Sequence, residues 1–252
     1  NVAGDLSNDG TMNVATTNIG GNLNDTGTWT ESGIINFVGT GEHEFDSNSS
    51  TTYAKINVEK TSGLLTIKDV LHVTGLNINS NVIFEDSAII GELSIDMSSS
   101  ENENFVKFTG GKLYKITTLE SAKGNQTKKL QLDSTNEEKW NVYLESKPEI
   151  DTFEYVELSK SKSVASGGVE IKNLGYEETD TKLTSEEEDT TEGWFEFKKY
   201  YWVGSVSETW NDVRNWARQA TGSGKFATFP PSDNAELEIY ITENATKKLS
   251  IN

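Results

Sequence analysis

The chain has 252 residues, long enough for one large domain or two small ones with a real core. Only 34% of residues are hydrophobic, 23 are Asn and 21 Gly, there is no Cys, and 40 acidic against 22 basic residues leave a net charge of −18. This composition excludes a disulfide framework, a thiolate metal site and a cysteine nucleophile, and the acid excess argues against nucleic acid or anionic lipid as a partner. No apolar run approaches the ~20 residues that membrane insertion by a helix needs.

The N-terminal segment repeats. Residues 1–17 (NVAGDLSNDGTMNVATT) and 18–34 (NIGGNLNDTGTWTESGI) place Asn1 on Asn18, Gly4 on Gly21, Leu6 on Leu23, Gly10 on Gly27 and Thr11 on Thr28. The offset of 17 returns between Leu76-Asn-Ile-Asn79 and Leu93-Ser-Ile-Asp96. That phrase (apolar, polar, apolar, then Asn or Asp) recurs at Leu130–Asp133 and Leu249–Asn252, with looser forms at Ile56–Val58, Val142–Leu144 and Val169–Ile171. Period-2 alternation over three or four residues predicts very short strands with one buried face. The Asn, Asp or Gly that follows suits a turn or a left-handed backbone position. Helical signal is confined to Asn211–Ala220, which reads equally well as a loop.

Many short strands permit a sandwich, a barrel or a stacked solenoid. Equivalent small, apolar and Asn positions at a fixed offset favour the solenoid, as does the scarcity of two-residue hairpin signals. Each coil then needs few inward apolar residues, because its neighbours cover them, and Asn can stack its amides in internal ladders. The fold class expected is all-β: a right-handed parallel β-helix of about ten coils of ~20 residues over residues 1–199. The inward set expected is Leu6, Leu23, Ile56, Val58, Leu76, Ile78, Leu93, Ile95, Leu130, Leu132, Val142 and Leu144.

Two stretches depart from this pattern. Residues 176–192 hold eight acidic residues and one Lys, and read as a loop protruding from a coil. Residues 200–252 hold 5 basic and 6 acidic residues, both arginines, and Trp202, Trp210 and Trp216. They read as a Trp-rich module, the start of a further repeat unit.

Several phrases together resemble repeat segments of large secreted bacterial surface proteins of adhesin-like type. The first is GDLSNDGTMNV…GGNLNDTGTWTESGIINFVGTGEHEF, continued by YAKINVEKTSGLLTIKDVLHVTGLNI. Downstream come Leu130, Leu132, Ser134, Trp140 and Val142, the Phe153–Ser159 coil, and Gly193, Trp194 and Phe197. A Trp-rich header follows with Trp202, Gly204, Trp210, Asn211, Asp212, Asn215, Trp216, Pro231, Asp233 and Ile239. The resemblance implies a β-solenoid, an extracellular cell-surface setting and a structural or adhesive role. It carries no catalytic motif over, and the acidic stretch at 176–192 lies outside it.

Chemistry-bearing patterns are few. With 40 carboxylates an acid–base pair can always be drawn, so such a pair has no specificity. A polysaccharide lyase or hydrolase is the enzyme alternative, but both arginines lie outside the coils and the hydrolase phrases NTD, DD and GHG are absent. His43 and His72 have no third histidine to complete a metal site. Calcium is the most plausible ligand, with Glu186, Glu187, Glu188, Asp189 and Glu192 as its donors, although a run of like charges is ordinarily a solvated loop. Trp202, Trp210 and Trp216 form either a glycan-stacking face or a packed module junction. Four sequons, at Asn24, Asn48, Asn125 and Asn244, are no more than chance supplies in so Asn-rich a chain.

The function expected is therefore a rod segment of a bacterial surface fibre or adhesin stalk, without catalysis or a required cofactor. A carbohydrate- or calcium-binding surface module is the alternative, and a β-helix polysaccharide-degrading enzyme the less favoured one. Asn1-Val2 aligns with Asn18-Ile19 inside a repeat, and Leu249–Asn252 is itself the strand phrase. Further coils, or subunits of the same fibre, are accordingly the partners expected at the ends, with surface glycans a further partner.

Overall fold

The computed structural model describes residues 1–30, 32–101, 103–164, 181–185, 191–194, 199–204, 207, 213–217, 238–241 and 245. Nine strands stack in parallel as one sheet: Leu6–Asn8, Leu23–Asp25, Glu42–Asp46, Leu64–Ile67, Val82–Phe84, Asn104–Phe108, Leu130–Ser134, Val156–Leu158 and Leu183–Ser185. A second parallel sheet takes one strand from each turn of the chain between them: Thr16–Ile19, Ile34–Phe37, Thr52–Val58, Leu71–Ile78, Ala88–Asp96, Leu113–Lys123, Trp140–Leu144, Ser161–Ser163 and Thr191–Glu192. Phe153–Glu154 pairs with the far half of Leu113–Lys123. The chain thus winds as a parallel β-helix.

The coil has three sides, because the second sheet bends. Along Leu71–Ile78 every other residue is buried up to Val73, then Thr74 and Gly75 both face outward, and alternation resumes at Leu76. The same break of phase falls at Ala54-Lys55, Gly91-Glu92 and Thr117-Thr118 in the neighbouring strands. Two successive outward residues turn the strand about a corner without ending its ladder. In the first two coils the middle side is the short pair Thr11–Met12 and Thr28–Trp29.

The repeats read from the sequence are the coil registers. Leu6 pairs with Leu23, Thr11 with Thr28, Val2 with Ile19, Leu76 with Leu93 and Ile78 with Ile95. Coil length then drifts. Successive steps along the first sheet are 17, 22, 22, 17, 24, 26, 26 and 27 residues. The coils are therefore fewer and longer than ten of ~20 residues. One added residue, Glu120, is an exposed bulge inside Leu113–Lys123, opposite the Leu93–Ser94 step, so the inward positions keep their files.

Inward side chains form continuous files. One runs Leu23, Phe45, Ile67, Phe84, Phe108; another runs Ile19, Phe37, Val58, Ile78, Ile95, Ala122, Phe153; all are at most 2% exposed. Eleven of the twelve inward residues expected are buried, and Leu6, in the first coil, is half-buried. At mid-height the core turns aromatic. Phe84 stacks on Phe108 at 5.3 Å, Phe108 on Trp140 at 4.2 Å, and Tyr114 meets both phenylalanines edge-on. Such contacts add roughly 0.5–1.5 kcal/mol each beyond the area they bury.

Two expectations need correction. The acidic stretch is not wholly a protruding loop: Leu183–Ser185 and Thr191–Glu192 are coil strands, and Leu183 is fully buried. Within Asn211–Ala220, Val213–Asn215 is a single 3-10 turn and Trp216–Ala217 a strand. That strand pairs antiparallel with Lys199–Trp202, which pairs in parallel with Glu238–Ile241, a small sheet apart from the two coil sheets.

Candidate functional site

The outward side of the strands from Thr16–Ile19 to Leu71–Ile78 carries an asparagine ladder. Asn18, Asn36, Asn57 and Asn77 occupy the same register position, each between two buried neighbours, so each points outward. Asn18 Nδ2 donates to Asn1 Oδ1 at 2.6 Å, Asn36 to Asn18 at 2.6 Å, Asn57 to Asn36 at 2.8 Å and Asn77 to Asn57 at 2.9 Å. Every bond runs in the same direction along the axis. The next two positions are Ser94 and Ser121, whose hydroxyls meet at 2.7 Å. The expected ladder exists, but on the outer face and half-buried, because the interior is filled by aliphatic and aromatic files.

Lysine–carboxylate pairs join neighbouring coils further up. Lys68 reaches Glu85 at 2.9 Å, Lys112 reaches Asp86 at 2.9 Å and Lys115 reaches Glu145 at 2.9 Å. All lie at the surface, where solvent screens them, so they tie coils together only weakly.

A shallow groove of about 340 Å³ lies on the outer side of the first three strands, lined by Asp5, Ser7, Asn22, Asn24, Glu44 and Asp46. Its walls are tied to the backbone: Asp5 accepts from the Asn22 N–H at 2.7 Å, and Asn22 Oδ1 from the Glu44 N–H at 2.8 Å. Partial burial pushes the Asp46 carboxyl up, as do Asp69, Glu44 and Glu85, against the opposing pull of Lys68.

Inside the same coils stands a buried carboxylate. Asp25 is 3% exposed, and its Oδ1 accepts from Asn8 Nδ2 at 2.8 Å and from the Gly27 N–H at 3.2 Å. The Tyr53 hydroxyl donates to Oδ2 and itself accepts from the Asn48 N–H at 3.0 Å. Burial, then the Asp25 contact, hold the Tyr53 phenol far above its ordinary value. Three donors from three coils satisfy this charge without a cation, so the cluster pins coils together.

The residues singled out in the sequence fall as follows. Glu186, Glu187, Glu188, Asp189 and Trp210 lie outside the described residues. Glu192 is spoken for by two lysines: Lys139 on one oxygen and Lys162 at 3.0 Å on the other. Trp202 and Trp216 are fully buried and meet edge-on at 5.1 Å. His72 points outward opposite Ile89 and Thr52. Among the described residues, no three of His, Cys, Asp and Glu stand close enough together to hold a metal ion.

Sequence reading missed Asp25 and Lys60 and weighed His43 only as a metal ligand, and the same signal exposes the inward position of all three. Each stands two residues from an inward apolar residue, namely Leu23, Phe45 and Val58, and so shares its side of the strand or corner. Compared with models of protein families, with curated proteins and with solved structures, the chain matches none.

Proposed function

We propose that this chain is a rod segment of an extracellular bacterial surface fibre or adhesin stalk. It acts as a mechanical spacer that holds a binding tip or partner away from the cell. The observation that supports this most is the asparagine ladder, in which one hydrogen bond per coil runs along the axis in a single direction over five residues. Backbone ladder bonds, donated in both directions between neighbouring coils, also lie along the axis, so load is shared with both coil sheets. Glu and Asp on the outer faces keep such rods soluble and mutually repelling. The connections are expected to wind right-handed, as nearly all parallel crossovers do.

Small-angle scattering tests the spacer: nine strands at ~4.8 Å spacing give a rigid body of about 40 Å along the coil axis. A glycan array with and without Ca²⁺, and an assay for released unsaturated uronates, test the competing roles. A rod with neither binding nor release is expected. Specific glycan capture would place the chain among carbohydrate-binding modules, and uronate release among the lyases.

A further inference from the structure

His43 and Lys60 face into the coil at a corner built from glycine. Strand Glu42–Asp46 puts His43 on the inward side with Phe45, and Lys60 follows Val58 inward. Gly39 and Gly63 flank them in the left-handed region, at φ +86° and +80°. Lys60 is only 6% exposed, and its Nζ lies 2.8 Å from His43 Nδ1. For that contact to be a hydrogen bond, Nδ1 must offer a lone pair to the ammonium, so the ring is neutral with its proton on Nε2.

The charges around the pair are few. Asp5, from the first coil, favours protonation of His43, and Lys60 opposes it. Glu42, Glu44 and Glu59 flank the pair along the chain but are exposed on the outer side. The next strand up, Leu64–Ile67, brings no titratable group, and from the coil above Ser80 Oγ accepts the Lys60 backbone N–H at 3.3 Å. Among the described residues, Lys60 has no ion pair with a carboxylate.

We propose that the His43–Lys60 pair is an acid-sensitive latch on the corner at residues 59–63: one shared positive charge keeps the corner packed, and a second proton, taken by His43, opens it. Protonation removes the lone pair that receives the Lys60 hydrogen bond and sets two cations 2.8 Å apart, one buried and one half-buried. Burial first, and the Lys60 charge second, hold His43 below its ordinary 6.5, and burial likewise pulls Lys60 down. The open corner therefore takes up the proton before the closed one does. Closure is strongest above about pH 6.5 and weakens as the pH falls toward the depressed value of the packed imidazole.

Amide hydrogen exchange on the full chain reads the latch, because three backbone bonds seat the corner on the coil below. They run from Glu59 N–H to Phe37 O, Thr61 N–H to Gly39 O and Leu64 N–H to Gly41 O. After correction for intrinsic exchange, protection of these amides is expected to fall several-fold from pH 7.5 to 5.0, the direction that a depressed imidazole imposes. The Thr135 amide, bonded to Phe108 O far up the rod, is expected to hold its protection. In His43→Gln, whose side-chain carbonyl accepts from Lys60 without titrating, the corner is expected to lose its pH dependence. The ring titration of wild-type His43 by NMR, assigned with His72→Gln, needs no variant of the pair. Protection unchanged by pH, the same loss in His43→Gln, or a His43 ring titrating at or above 6.5 would each overturn the latch.

Discussion

Asn57 Nδ2 donates to Asn36 Oδ1 at 2.8 Å while Asn57 Oδ1 accepts from Asn77 at 2.9 Å, so one side chain carries two inter-coil bonds. Asn57→Asp keeps the acceptor and removes the donor, setting a carboxylate against the Asn36 oxygen. It is expected to cost about 1–3 kcal/mol at pH 7 in urea unfolding. Protonating the new carboxylate restores a donor, so the variant should approach wild type at about pH 3. A loss that ignores pH would mean that the ladder bond contributes nothing.

Gly63 sits at φ +80°, and a Cβ there would lie 1.8 Å from the Gly41 carbonyl oxygen. Gly39 has nearly the same backbone, φ +86°, but open space around its missing Cβ. Gly39→Ala is expected to cost only the left-handed strain, about 1–2 kcal/mol. Gly63→Ala adds displacement of a neighbouring coil, and its loss should exceed ~4 kcal/mol or prevent folding. Equal losses would show that the close approach between the two coils is slack.

Tyr53→Phe leaves Asp25 Oδ2 without its donor inside the coil, and is expected to cost about 1–3 kcal/mol. In a double-mutant cycle with Asp25→Ala the coupling should reach about 1 kcal/mol or more. Because burial holds the phenols of Tyr53 and Tyr114 well above their ordinary value, both should stay protonated in alkaline absorbance titration until the chain unfolds. A full tyrosinate signal with the fold intact would contradict the burial.

Asp46 gives the pH sign opposite to that of the His43–Lys60 pair. Its folded value is raised, so stability is favoured below the unfolded value of 3.8 and is lost as pH rises through the folded value. Asp46→Asn removes that loss and is expected to raise stability at pH 7 by about 0.5 kcal/mol, the usual ceiling for a surface position. A destabilised variant would indicate that Asp46 holds a favourable contact that the groove geometry does not contain.

The fold was legible because a stacked coil writes its register into the chain. Leu6 above Leu23 and Thr11 above Thr28 are pairs of like residues at a constant offset, and constant offset is what parallel stacking requires. Later coils hide that signal. Between Phe84, Phe108 and Ser134 the steps become 24 and 26, since inserted residues shift the count without touching the inward files. The polar interior was harder to see. Asp25, His43 and Lys60 occupy inward positions by parity, yet a charged residue at an inward position reads as a break in the strand unless its partners are known. Those partners, Tyr53 for Asp25 and His43 for Lys60, lie one to two coils away, at separations that no local pattern reports.

Leu183 tests how far the cooperative stack of coils extends. By charge alone its surroundings read as a solvated loop, but it is fully buried, pairs with Val156, and extends the file of Leu130 and Val156. The neighbouring Thr184 hydroxyl donates to the Val156 carbonyl at 3.2 Å, and Lys182 reaches Asp151 at 2.7 Å. Truncating a buried leucine removes its transfer energy and leaves a cavity, so Leu183→Ala is expected to cost about 2–5 kcal/mol. In a solenoid each coil is held by its neighbours, and that loss should appear in the main unfolding transition, with the same midpoint by circular dichroism and by Trp140 fluorescence. If the main transition is unmoved while a separate early one appears, the ninth strand is a detachable end, and the rod's cooperative unit stops at Val156–Leu158.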